Sequence, residues 1–227
     1  MTTATRLDPQ GSSFSRTLFQ ELPILGILRG FTRGQMTEIV RAAIRGGLRN
    51  IEITLNTPDA AGQIREALAL AEGRLNIGAG TVINRELLDQ ALDAGASFIV
   101  TPTVEPKVIT ECANRKIPVF AGAFSPTEVV RAWELGAMMV KVFPAECVGP
   151  GYIRALKAPL PHIQLLPTGG VDLKTLPEFL KAGADGFGIG GPLFDRQRVQ
   201  SGDWTWVEAQ CRAFTEAYRQ AAESRNA

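Results

Sequence analysis

The sequence predicts an α/β protein built as a single (β/α)8 TIM-type barrel with a short N-terminal helix. Three observations carry that prediction. Eight short apolar runs recur about 20 to 27 residues apart, beginning near residues 24, 50, 76, 97, 118, 138, 164 and 185. Segments between them show the periodicity of helices with one buried face. Several runs follow a helix-ending glycine, in "RGGLRNIEI", "DAGASFIV", "ELGAMMVKV" and "KAGADGFGI", where glycine supplies a left-handed cap before the next strand. Strands alternating with such helices make parallel β-α units, and eight units close a barrel of about 250 residues. An open doubly wound sheet would compete, but no GxGxxG fingerprint follows the first run.

The elements follow in order. Residues 12–20, "SSFSRTLFQ", read as a short helix, so residues 1–21 form an N-terminal extension and 22–227 the barrel. "ILGILRG" is the first strand. The helix in "TRGQMTEIVRAAIRGG" turns Met36, Ile39, Val40, Ala43 and Ile44 to one face, with Thr32 as N-cap. "NIEITL" and "NIGAGTV" are the second and third strands. In "NRELLDQALDAG", Asn84 caps a helix that turns Leu87, Leu88, Ala91 and Leu92 inward. "SFIVTP" and "PVFAGAF" come next, and "SPTEVVRAWELG" then places Ser125 ahead of Pro126 at the first helical position. "MMVKVFP", "QLLPTGG" and "DGFGIGG" complete the strands, with a helix expected from near Asp172. Trp204 and Trp206 are expected to dock the C-terminal helix or an interface.

Composition narrows the function. The 227 residues are 45% hydrophobic, enough for one large core, and the formal net charge is +1 with both signs interspersed. No basic stripe suggests a nucleic-acid partner. No run of about 18 apolar residues suggests a membrane span, and the N-terminus lacks the apolar region of a signal peptide. The expectation is a soluble, cytoplasmic protein. Cys112, Cys147 and Cys211 are scattered without CxxC spacing and read as free thiols, with Cys147, after strand six, either lining the mouth or, the favoured reading, packed. His162, the only histidine, precedes the seventh strand and reads as a surface residue at the opposite end from the site. That weighs against a histidine triad or a His-rich zinc centre.

Barrel sites sit at the C-terminal ends of the strands. Side chains alternate across a strand, so Val140 and Val142 face the helices while Met139, Lys141 and Phe143 face the axis. Ile51 and Ile53 likewise face outward, leaving Glu52 and Thr54 inside. Both polar residues lie on even strands, which share interior layers. The pair could be a structural ion pair, which is often no better for stability than packed hydrophobes. It could also be a desolvated lysine whose neutral amine adds to a carbonyl, with Glu52 moving protons. Gly169 and Gly170 after strand seven, and Gly190 and Gly191 after strand eight, fit either tight turns or a phosphate site made of backbone amides. Arg29 at the end of the first strand can be a solvated terminus or a bidentate anion contact. Thr81 can offer a hydroxyl or begin a turn.

Quoted in order, "ILRG", "GGLRNIEITLNTPDA", "IGAGTV", "IVTPTVEP", "VKVFPAE", "GPGYIRALKAPLP" and "PTGGV" resemble the KDPG/KHG aldolases. These class I enzymes act on 2-keto-3-deoxy-6-phosphogluconate, its galactonate epimer or 4-hydroxy-2-oxoglutarate. The resemblance runs from about residue 22 to residue 195. It implies a homotrimeric barrel with no metal and no cofactor, whose partners are a phosphorylated keto acid and pyruvate. It implies Lys141 as the Schiff-base lysine and Glu52 as the acid/base. Arg29, Thr81, Pro102, Phe143 and Thr168 are implied in substrate binding, and Gly169, Gly170, Gly190 and Gly191 in holding the phosphate. Asn56 stands where many gluconate-type relatives carry arginine, and Pro192 where many carry serine; Thr168 is of the gluconate type. Gluconate is therefore expected, with the galactonate epimer or 4-hydroxy-2-oxoglutarate as the alternatives. Two readings from other classes are a phosphosugar isomerase, with Glu52 as base, and a non-catalytic phosphometabolite-binding barrel. A covalent pyruvate adduct on Lys141 separates these from the aldolase.

Overall fold

A computed structural model describes residues 14–226, with side chains as far as residue 224. Eight parallel strands make one sheet: β1 (Ile24–Leu28), β2 (Asn50–Thr54), β3 (Asn76–Gly80), β4 (Ile99–Val100), β5 (Val119–Ala123), β6 (Met139–Val142), β7 (Leu165–Pro167) and β8 (Phe187–Ile189). Each pairs with the next in chain order as far as β7, and β8 pairs back onto β1. A bridge between Thr168, just past β7, and Gly188 of β8 brings the remaining edges together. The result is a nearly closed (β/α)8 barrel, with all eight strands on the predicted runs.

The helices are α1 (Arg16–Glu21), α2 (Arg33–Arg45), α3 (Ala60–Ala71), α4 (Arg85–Asp93), α5 (Pro106–Asn114), α6 (Pro126–Glu134), α7 (Gly149–Lys157), α8 (Thr175–Lys181), α9 (Arg196–Gln200) and α10 (Trp204–Asn226). Thr32 and Ser125 complete capping boxes with Gln35 and Glu128, and Asn84 accepts the Leu87 N–H at 2.8 Å. Each satisfies a donor that a helix start leaves unpaired. The expected left-handed caps are Gly47, Gly95, Gly136 and Gly183, at φ of 85, 90, 102 and 104°.

Three details correct the sequence reading. The first helix is Arg16–Glu21 rather than residues 12–20, because Ser15 accepts the Leu18 N–H and sets its start. Residues 12 and 13, and the extension before them, lie outside the described residues. Helix α8 begins at Thr175 rather than near Asp172, whose carboxylate instead accepts the Lys174 and Thr175 N–H groups at 2.8 Å each in a preceding turn. Cys147 is exposed rather than packed: in its 3-10 turn, Ala145–Cys147, the residue turned into the core is Ala145. Cys112 and Cys211 are buried free thiols, and Trp204 and Trp206 pack half-buried against the core at the start of α10.

Strand alternation splits the core into two shells. Ile51, Ile53, Ile77, Ala79, Val119, Ala121, Val140 and Val142 face outward onto the helices. Inside lie Leu25, Phe98, Val100, Phe120, Met139 and Leu166, together with Phe19 from α1. The Phe19 ring tilts against Phe120 with centroids 5.3 Å apart, and Phe98 meets Phe120 edge-on at 5.6 Å. Helix α1 thus plugs the N-terminal end of the barrel with an aromatic stack. The interior above it, toward the C-terminal strand ends, is left for polar side chains.

Candidate active site

The polar layer follows from which residues face inward and how small they are. On β3, "NIGAG" turns Gly78 and Gly80 to the axis. A Cβ on Gly78 would strike the Phe98 ring, and one on Gly80 would lie 2.6 Å from Glu52 Oε1. Glycine in a strand interior marks such close approaches. The "GAG" motif is therefore the space in which the Glu52 carboxyl lies. On β5, Gly122 is in register with Lys141, and its bare Cα admits the turn after β4: a Cβ there would sit 2.6 Å from Thr103 N and closer still to the Pro102 carbonyl. Thr101 holds that turn, donating to Thr103 O at 2.6 Å and accepting the Gly122 N–H at 3.2 Å. Pro102 is thereby part of the wall beside Lys141.

Glu52 and Lys141 are 1% and 5% exposed. They feel each other's charge, but they form no ion pair, and neither Glu52 oxygen has a hydrogen-bond partner among the described residues. The structural ion pair is therefore not what the interior contains. Burial dominates: it pushes the Glu52 carboxyl up and the Lys141 ammonium down from their ordinary values. The mutual attraction opposes both shifts without cancelling them, and Arg29 lowers both groups. Burial thus drives the pair toward a neutral amine and a neutral carboxylic acid, one a nucleophile and the other a proton donor. The Lys141 ammonium nitrogen lies 5.2 Å from the centroid of the Phe143 ring, which rises at the exit of β6 with 36% exposure.

Around this pair the structure places the other predicted residues at the same end of the barrel. Arg29 leaves β1 exposed, and its guanidinium makes no hydrogen bond or ion pair among the described residues. Thr168 is 4% exposed, and its hydroxyl has no partner there either. Thr81, half-buried after Gly80, has φ +60°, a conformation strained for a β-branched residue. Such strain persists where the surroundings impose it, and it gathers at functional sites. Asparagine tolerates this region, so Thr81→Asn is expected to stabilise the fold by about 1 kcal/mol, or roughly 2–4 °C in Tm. Thermal melts check this; a lower Tm would show that the conformation carries no strain.

The two glycine pairs differ in what requires them. Gly169 and Gly170 adopt left-handed φ of 91 and 69°, and Glu146 presses against the bare Cα of each. The fold itself demands them. Gly190 and Gly191 have no such φ; a Cβ on Gly190 would make only ordinary contact at 3.7 Å, and one on Gly191 would meet nothing within 4 Å. Nothing in the fold demands glycine at either position. The backbone N–H groups of Gly169, Gly170 and Gly191 have no hydrogen-bond partner among the described residues. Pro192 adds no donor to this set. Asn56 is exposed at the exit of β2, and His162 lies at the other end, edge-on to Trp133.

Sequence reasoning found the polar residues, the inward Thr54 among them, but missed Gly80 and Gly122, which make room for them, and Thr101 and Thr57, which hold the turns. Interior strand glycines were the available signal for the first two. Thr101 and Thr57 bond partly within their own turns, to Thr103 O and the Thr54 hydroxyl, but the bonds that tie those turns to the barrel, to Gly122 and Gly30, join distant parts of the chain and leave no local signal.

Fold and site together define the class: a (β/α)8-barrel enzyme whose polar interior opens at the C-terminal mouth. A family model described as "Aldolase: KDPG and KHG aldolase" matches residues 16–210. The chain is 36% identical over 204 residues to the 2-dehydro-3-deoxy-6-phosphogalactonate aldolase of Escherichia coli K12, covering 89% of this chain and 98% of that one. It is 35% identical over 211 residues to the 2-dehydro-3-deoxy-phosphogluconate aldolase of Pseudomonas aeruginosa, covering 92% and 94%. A solved structure described as native KDPGal superposes with TM-score 0.82 at 35% identity, covering 89% of this chain and 97% of that one. This chain belongs to the KDPG and KHG aldolase family, a family of carbon–carbon lyases.

Proposed function

We propose that the protein is a class I aldolase that reversibly cleaves 2-keto-3-deoxy-6-phosphogluconate to pyruvate and glyceraldehyde 3-phosphate. The carrying observation is the unpaired, desolvated Lys141 and Glu52 in one interior layer at the C-terminal mouth. The neutral Lys141 amine adds to the C2 ketone, and loss of water gives a protonated imine. Glu52 gives up its proton as that water leaves, and its carboxylate, acting through water, then takes the C4 hydroxyl proton as the C3–C4 bond breaks and the imine accepts the electron pair. Glyceraldehyde 3-phosphate leaves, the enamine is protonated at C3, and hydrolysis releases pyruvate and the free amine. Phe143 and Pro102 shield the imine from water. Thr81 offers its hydroxyl to the pyruvate carboxylate, Arg29 takes an anionic group, and Thr168 meets the C4 side of the substrate. The phosphate is held by the free N–H groups of Gly169, Gly170 and Gly191, with Gly190 keeping the approach open; amides of this kind bind anions well.

The galactonate epimer is the second reading, favoured by Asn56; 4-hydroxy-2-oxoglutarate is a further alternative that lacks the phosphate. Comparison of kcat/KM for the two C4 epimers and for the unphosphorylated substrate decides among them. The expected order is gluconate above galactonate, with the unphosphorylated compound well below both. A reversed epimer order would reassign the substrate while leaving the lyase chemistry intact.

The protein is further read as a cytoplasmic homotrimer. The reading rests on the family resemblance and on the described helices, none of which is long and apolar enough to cross a membrane. Light scattering in solution tests the trimer.

A further inference from the structure

Arg29 has a free guanidinium, yet the peptide groups around it are held unusually firmly. Gly30, at φ +71°, donates its N–H to Thr57 Oγ1 at 2.9 Å. The Thr57 and Thr54 hydroxyls lie 3.2 Å apart, and Thr54 Oγ1 reaches Leu28 O at 3.2 Å. Proton counting fixes the direction of this chain. The Leu28 carbonyl can only accept, so Thr54 donates to it. The Gly30 N–H can only donate, so Thr57 accepts from it and gives its own proton to Thr54. The chain therefore begins and ends on the two peptide groups that flank Arg29. Both threonines are at most 5% exposed, so water does not readily replace these bonds. The third anchor is Arg196 of α9, which donates to Arg29 O at 3.1 Å.

We propose that Thr57, through the Thr57–Thr54 hydroxyl chain, is a positioning residue that fixes the Leu28–Gly30 corner and so aims the Arg29 guanidinium at an anionic group of the substrate. The functional half rests on the aldolase reading above; the clamp itself does not. Thr57 touches no reacting atom. It removes the backbone freedom that Arg29 would otherwise lose on binding, and preorganisation of this kind lowers the cost of binding rather than the chemical barrier.

Two readouts on the full chain test it. In hydrogen exchange without ligand, Thr57→Val should speed exchange in the peptide spanning Leu28–Phe31, while Thr57→Ser should restore it. Unchanged exchange would overturn the clamp whatever reaction the protein performs. In kinetics, Thr57→Val should raise half-saturation about tenfold with kcat nearly unchanged. Pyruvate, scored by borohydride trapping, and the phosphorylated keto acid, scored by cleavage, form the two arms. A rise in both identifies the carboxylate as the anion that Arg29 holds, and a rise in the second arm alone identifies the phosphate. In an Arg29→Leu background the same change should have no further effect, because the threonine acts through Arg29. Thr54→Val, which cuts the other end of the chain, should act in the same direction and serves if Thr57→Val does not fold. No rise in either arm, or full additivity with Arg29→Leu, would overturn the positioning role. A wild type that forms no adduct and cleaves no substrate would remove the aldolase reading, and with it the functional half, leaving the exchange result to decide the clamp.

Discussion

Lys141→Met is expected to lower cleavage by at least about 10⁴-fold, because no other group can form the imine on which bond breaking depends. Methionine is nearly the length of the lysine stem and shares the inward face of β6 and its exit with Met139 and Phe143, so the fold should be retained. Stability supplies an independent check with a definite sign. Burial lowers the Lys141 value in the folded state. The unfolded chain therefore binds more protons between that lowered value and the ordinary 10.5, and wild-type stability rises with pH across this window. The Lys141→Met variant would have no such dependence. It should melt above the wild type near neutral pH, and the gap should narrow as pH rises toward 10.5. Melting curves at several pH values, beside a steady-state assay, decide it. Residual activity within about tenfold of wild type would place the nucleophile elsewhere.

Glu52→Gln is the second large effect. A positioned proton-transfer group contributes about 10²–10⁴-fold, so kcat should fall by that range while pyruvate still binds and still forms its imine slowly. The stability sign here is opposite to that of the lysine. Burial raises the Glu52 value, so the folded state holds its proton over a range where the unfolded chain has lost it, and wild-type stability falls as pH rises from 4.5 through the folded value. Glutamine removes that loss, so the stability advantage of the variant should grow with pH across the same range. Near-normal turnover would take Glu52 out of the reaction, leaving its burial unexplained.

Much of this was legible in the sequence because barrel geometry is periodic. A two-residue strand period and the even-strand rule suffice to bring Glu52 and Lys141 into one layer, and the glycine caps mark the strand starts. Helix caps such as Thr32, Asn84 and Ser125 are local, and local signals survive folding. What the sequence could not show depends on contacts between distant residues. The unpaired Glu52 carboxyl lies close against Gly80, and no spacing rule reports that it meets no partner there. The exposure of Cys147 follows from Ala145 taking the inward place in their shared turn. The contrast between a glycine pair the fold requires, Gly169–Gly170, and one it does not, Gly190–Gly191, appears only when each missing Cβ is placed against its neighbours. The hydroxyl chain from Thr57 to Leu28 joins two strand exits and has no sequence signature at all.

The central claim, that Lys141 is a desolvated amine forming a pyruvate imine, is tested most directly by borohydride reduction of the protein with pyruvate, followed by peptide mass analysis. One reduced pyruvyl group on the peptide containing Lys141, lost in Lys141→Met, is the result expected. No adduct, or an adduct on Lys157 or another lysine, would contradict it.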